Sequence, residues 1–300
     1  MDNFLIALSY LEFLSFEERC LIFDTFDWDS FKKIELSDLQ QLIGRNIKTK
    51  AKLGSELIEE VQRIESIISD QEIGILNYWK KEYPPLLREI VNPPFNIFYK
   101  GTMSENTVNS LAIVGTRKPS ELAKRRVYEW SEYLSRNGIN IVSGLALGID
   151  SAAHYGSVNT KAPTTAVLAN GVDYVYPKVN KILVQKILEN KGCLISEYVP
   201  STEPRPFRFP ARNRIISGIS RGTLLCEAPI KSGALITVDY ALEQNRDVFV
   251  DKRSSLNING EGCLRLISQG AQSILEPEEI LMNWNLEIHN DIALNTKENN

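Results

Sequence analysis

The stretch LAIVGTRKPS, residues 111–120, decides the fold. Apolar residues run into Gly115, where the chain turns, and Thr116 and Arg117 open the helical stretch that follows. The same texture repeats outward from it. INIVSG (139–144), TTAVLA (164–169), GCLISE (192–197), GTLLCEA (222–228), DVFV (247–250) and QSIL (272–275) are short apolar runs rich in β-branched residues, separated by stretches long enough for crossover helices. Strand, helix and next strand in this order predict an α/β fold, a mostly parallel sheet with helices on both faces. Ligands of such folds sit at the carboxyl ends of the strands, so function is sought in the strand-to-helix turns.

Upstream the period changes. Leu5, Leu8, Leu11 and Phe13, then Leu53, Leu57, Val61, Ile64 and Ile68, recur at helical spacing, which predicts a small all-α domain over residues 1–80. Between it and the sheet, YPPLLREIVNPPFNIFYKG (83–101) carries Pro84, Pro85, Pro93 and Pro94, which forbid a long helix and mark a connector. The sheet domain is expected over 81–277, and the remainder, 278–300, reads as a polar, loosely ordered tail too short for a further domain.

With 300 residues, a formal charge of −4 and a pI near 5.5, the chain makes no global electrostatic case for a polyanion. A local case exists. Between Pro204 and Arg221 stand five arginines and no acid. Four scattered cysteines and two histidines support neither a disulfide framework nor a zinc site, and no cofactor motif occurs. The N-terminus lacks a basic signal region and no apolar run approaches membrane-spanning length, so a cytoplasmic protein is expected.

Four turns carry the candidate chemistry. At the first, Gly115, Thr116 and Arg117 offer backbone N–H groups, a hydroxyl and a guanidinium to an anion; they equally make a capped turn with a solvated arginine. The second, SGLALGIDSAAH (143–154), has Asp150 or Ser151 as the expected helix cap, and places Asp150 and His154 four apart, where a structural hydrogen bond is favoured over a metal or acid–base pair. The third, FRFPARNRIISGISRG (207–222), interleaves rings with guanidinium groups ahead of a helix expected to begin near Ala211. Bases stack on rings and phosphates take arginine, so this composition favours a single strand of nucleic acid over buried phenylalanines with solvated arginines. In the fourth, Lys231, Ser232 and Gly233 open an amphipathic helix with Ser232 as its cap.

Taken in order, LAIVGTRKPS, IVSGLALGIDSAAH, TTAVLANGVDYVYP, LISEYVP, FPARNRIISGISRG and CEAPIKSGALIT resemble the DNA-processing protein A family (DprA or Smf) over about two thirds of the chain. The resemblance implies an extended Rossmann-like domain that binds single-stranded DNA as a homodimer. It also implies loading of a RecA-type recombinase during natural transformation. Carried over by position, the pocket uses Gly115, Thr116, Arg117, Phe209, Arg212, Asn213, Ser232 and Gly233, with Lys231 adjacent. The chain departs from the family pattern at Pro206, where a lysine is frequent, so Arg205 or Arg208 is expected to supply that cation. It departs again at Asp251 and Lys252, which replace a usual Pro-Gly.

No nucleophile–base pair or P-loop occurs at these turns, so the expectation is a protein without catalysis of its own. The rival is a nucleotide-binding or phosphoribohydrolase-like Rossmann enzyme, but KSGALITVD (231–239) lacks the PGG turn and glutamate of that group. The apolar face of CLRLISQGAQSIL (263–275) is the expected dimer contact.

Overall fold

A computed structural model describes residues 2–103 and 109–288. Five helices come first: α1 (Asp2–Tyr10), α2 (Phe16–Thr25), α3 (Trp28–Phe31), α4 (Leu36–Ile43) and α5 (Ser55–Asp70). β1 (Gly74–Asn77), α6 (Pro85–Arg88) and β2 (Asn96–Gly101) lead into a regular alternation. It runs β3 (Ser110–Gly115), α7 (Glu121–Arg136), β4 (Asn140–Ser143), α8 (Ile149–Asn159), β5 (Thr164–Val167), α9 (Lys181–Glu189), β6 (Cys193–Ser196) and α10 (Arg208–Gly218). β7 (Gly222–Cys226), α11 (Gly233–Glu243), β8 (Asp247–Asp251), α12 (Glu261–Ser268), β9 (Gln272–Ile274) and α13 (Glu278–Asn283) complete it.

The strands form one sheet in the order β1-β2-β6-β5-β4-β3-β7-β8-β9, parallel from β6 to β9 and antiparallel at β1 and β2. From β3 the chain steps outward through β4, β5 and β6, and α10 then returns it to β7 on the other side of β3. The order therefore reverses beside β3, and a crevice opens there at the carboxyl ends of the strands.

Alternation along β3 explains both layers. Leu111 and Ile113 face Val127, Trp130 and Leu134 of α7, while Ala112 and Val114 face Ile215 and Ile216 of α10 and Val238 of α11. The amino-terminal helices share a core with the sheet: Phe4, Leu8 and Val61 pack in one cluster with Phe95, Phe98 and Leu194. Asn96 on β2 donates to Leu5 O at 2.9 Å and to Ser9 Oγ at 2.7 Å, tying α1 to the sheet.

Two boundaries move. The sheet begins at Gly74, inside the region read as helical, because β1 pairs with β2 from the proline-rich connector. Beyond Glu276 the polar reading fails as far as residue 288: α13 buries Ile280 and Leu281, and Trp284 stacks edge-on to Phe249 at 6.0 Å. The rest of that expected tail, 289–300, lies outside the described residues. Among the described residues no helix is long and apolar enough to cross a membrane.

Candidate nucleic-acid interface

The first turn is built by close approach. A Cβ on Gly115 would meet Cys226 O at 2.0 Å, so only glycine lets β3 end against β7 there. Thr116 N then donates to Glu227 O (2.9 Å), and Thr116 O accepts from Ile149 N (3.2 Å). Glu227 is buried at a positive φ of 39°, and its carboxylate accepts from Ser120 N (3.0 Å) and Ser120 Oγ (2.6 Å) while Asn257 Nδ2 approaches at 3.1 Å. Ser120 in turn caps α7. Strain at Glu227 is thus held by a full set of hydrogen bonds, and it fixes the turn that carries Arg117.

Phe209, at the start of α10, is the centre of the crevice. Its ring lies under the Arg117 guanidinium at 5.5 Å and the Arg212 guanidinium at 6.0 Å, with the Tyr176 ring at 5.8 Å. Arg212 is almost wholly buried and donates to Gly144 O (2.8 Å) and to Val167 O. A Cβ on Gly144 would stand 2.7 Å from that guanidinium, so the second turn needs glycine to admit the arginine. Burial pulls the Arg212 pKa down to about 10 and Arg117 adds to that, while Asp150 opposes it. The side chain remains a cation at neutral pH. Asn213 Nδ2 donates to Gly233 O (3.2 Å), and Ser232 caps α11 by accepting from Ala234 N (3.3 Å).

Together these elements enclose a groove of about 840 Å³. It gathers Gly115, Thr116 and Arg117 from the first turn, Phe209, Arg212 and Asn213 from the third, and Lys231, Ser232 and Gly233 from the fourth. Arg205 and Arg208 do not line it; they face the opposite side of the segment that precedes α10. The arginine cluster is not free of acids either. Arg208 pairs with Glu12 at 2.6 Å and Arg214 with Glu197 at 2.6 Å, while Arg221 lies over the Trp284 ring at 4.8 Å. Phe207 is not in the core but exposed.

Three local readings change as well. α10 begins at Arg208 rather than near Ala211, with Pro210 tolerated in the first turn, where its missing N–H costs no helix bond. α8 is capped at Gly148, so Asp150 sits inside the helix, where its carboxylate accepts from Gly144 N (3.1 Å) and Ala146 N (3.3 Å). His154 turns instead to Thr164 Oγ1 at 2.9 Å. The turn-by-turn reading passed over Tyr176, which lines the groove, and Glu227, which holds the first turn. Tyr176 had a signal in the VDYVYP run; Glu227 had only its place at the end of β7.

Among the described residues no group of three or more His, Cys, Asp and Glu is placed to hold a metal ion. The family model for DNA recombination-mediator protein A matches residues 74–285. The chain belongs to this family. It is 33% identical over 296 residues to protein Smf of Borreliella burgdorferi, covering 98% of this chain and 93% of that one. The crystal structure of DNA processing protein A from Streptococcus pneumoniae superposes with a TM-score of 0.75 at 31% identity, over 96% of this chain and 99% of that one. DNA processing protein A from Helicobacter pylori, solved for its single-stranded DNA binding mode, aligns with a TM-score of 0.64 at 25% identity, over 73% of this chain and 99% of that one.

Asp251, the last residue of β8, makes a lock of its own. It is fully buried, accepts from Arg126 Nη2 (2.6 Å), Arg126 Nε (2.9 Å) and Arg253 N (3.0 Å), and so fixes the backbone that leads towards Asn257 and Glu227.

Proposed function

We propose that this recombination mediator binds single-stranded DNA, without regard to sequence, in the groove beside β3. The observation that carries the reading is the Phe209 ring with the Arg117 and Arg212 guanidinium groups 5.5 and 6.0 Å from its centre, at a topological switch point. Bases stack on the ring, phosphates meet Arg117, Lys231 and the amino end of α11, and Arg212 sets the floor. The single-strand binding named for the Helicobacter pylori relative supports the same reading. In recombination the bound strand is sheltered and passed to a RecA-type recombinase, and the protein performs no catalysis of its own. Two chains pair through α12 and the edge strand β9, where Leu264 and Leu275 are exposed, giving one particle two grooves for a long strand.

The test is fluorescence anisotropy with labelled single strands and duplexes of mixed sequence. Single strands bind more tightly than duplex, whose base faces are hidden, and Phe209→Ala costs about 1 to 3 kcal/mol of affinity with the salt dependence unchanged. Equal affinity for both forms, or an indifferent Phe209→Ala, rejects the groove as the site. Light scattering on the same sample reads a two-chain mass; a monomer at micromolar concentration removes the dimer.

A further inference from the structure

A second hollow backs onto the groove. The segment 203–210 is the common wall: Pro206 and Phe209 line the groove, while Glu203, Arg205 and Arg208 line a hollow of about 520 Å³ on the other side. The loop 170–177 spans both, since Tyr176 enters the groove and the Asp173 carboxylate accepts from Ser201 N at 2.8 Å, fixing a residue of the hollow. The far wall belongs to the amino-terminal helical region, through Tyr10, Phe13, Thr49, Ala51 and Arg63.

Thr49 and Ala51 come from GRNIKTKAKLGS (44–55), which carries four cations and no acid. Along it the exposed Lys48, Lys50 and Lys52 alternate with the half-buried Thr49 and Ala51, so the lysines flank in the chain the two residues that line the hollow. Arg45 is held by Glu18 and Lys52 by Glu60. Lys48, Lys50 and Arg205 are exposed and have no ion pair among the described residues. Of the acids lining the hollow, Glu12 is neutralised by Arg208 and Glu60 by Arg63, which leaves Glu203 beside Arg205, with Lys48 and Lys50 next to the lining in the chain. Two half-buried rings, Tyr10 and Phe13, complete a combination of aromatic surface and unneutralised positive charge that repeats the chemistry of the groove.

We propose that a strand held in the groove continues over Arg205 into this hollow and onto Lys48 and Lys50, so that the helical region supplies a second subsite for single-stranded DNA. The inference rests on the single-strand reading of the groove. It assigns the amino-terminal helices a direct part in binding, with length of strand as the quantity they sense.

The experiment compares oligonucleotides of about 6 and about 25 nucleotides, the first within one site and the second long enough to leave it. Both are titrated over a range of salt with the full chain, its Lys48→Ala/Lys50→Ala/Arg205→Ala variant and Phe209→Ala. The triple variant is expected to weaken the long strand about tenfold and to flatten its salt slope by about 2, three phosphate contacts at about 0.7 each, while leaving the short strand alone. Phe209→Ala weakens both lengths. If the triple variant binds the long strand like the parent while Phe209→Ala is still defective, the hollow is not a subsite and the groove reading stands. If Phe209→Ala binds both lengths normally, the groove reading falls and takes the hollow with it. Loss of recombinase association with DNA affinity intact assigns the lysines to a protein partner and overturns the proposal.

Discussion

The two sides of α10 hold arginine in opposite ways. Towards the helical region and β6, Arg208 and Arg214 each meet a carboxylate at 2.6 Å. Towards the groove, Arg212 is held by the neutral carbonyls of Gly144 and Val167, and Arg117 stands over a ring. A guanidinium fixed by a carboxylate has its charge cancelled inside the protein and serves the fold. One fixed by neutral groups at the edge of a groove keeps its charge available to a ligand, at the cost of desolvation seen in the lowered pKa of Arg212. Arg214 shows the converse: burial works against its charge, yet the charge and hydrogen bonds of Glu197 override it and raise the pKa.

The largest effect is expected where that cancellation is broken. Arg214→Ala leaves Glu197, only 17% exposed, without its partner and costs about 3 kcal/mol in urea unfolding, with the salt slope of DNA binding unchanged. Arg208→Ala costs less, about 1 kcal/mol, because Glu12 is 39% exposed and turns to water. A flattened salt slope in Arg214→Ala would erase the distinction between the two sides.

This distinction also marks what the sequence could disclose. Continuous apolar runs rich in β-branched residues, LAIVG and its repeats, made the parallel sheet legible, and glycines at strand ends located the turns. Arg208 looked like a groove cation because charge pairing is not local: Glu12 lies 196 residues from it in the chain. β2 hid among prolines that end just before it, and α13 behind glutamates and asparagine that flank Ile280, Leu281 and Trp284. α10 starts three residues before the expected Ala211 because a first turn accepts Pro210.

A second expected effect belongs to the groove floor alone. Thr164 Oγ1 donates to Ile141 O at 2.6 Å, so it accepts from His154 Nδ1, and His154 Nε2 is buried without a partner. Burial, reinforced by Arg212, lowers the His154 pKa from its usual 6.5 to about 3. The folded pKa lies below the unfolded one, so the unfolded chain binds the extra proton. Stability from this group is complete above the unfolded pKa and falls with pH, at about 1.4 kcal/mol per unit, or about 2 kcal/mol by pH 5. Asp150, whose pKa burial raises, works in the opposite sense once the pH approaches its folded value. Urea unfolding between pH 6.5 and 5 reads the slope, and His154→Gln flattens it. A parent protein equally stable at both ends of that window rejects a neutral buried His154.

The smallest effect on stability is expected at the residue with the clearest effect on binding. Arg117 is exposed at the end of the first turn, its guanidinium stands over the Phe209 ring at 5.5 Å, and it has no ion pair among the described residues. Removing it strips no buried carboxylate of a partner, so Arg117→Ala should unfold with the parent, as surface substitutions generally do. If it meets a phosphate, the same variant weakens all sequences alike and flattens the salt slope by about 0.7, whereas Arg117→Lys keeps the slope while losing the planar fork and with it some affinity. Stability and salt slope therefore move oppositely in Arg117→Ala and Arg214→Ala, two arginines in one molecule separated by what holds them. Should Arg117→Ala instead lower stability and leave the slope as it was, its charge is engaged within the fold, and the groove has lost the cation that distinguishes it from the junction behind α10.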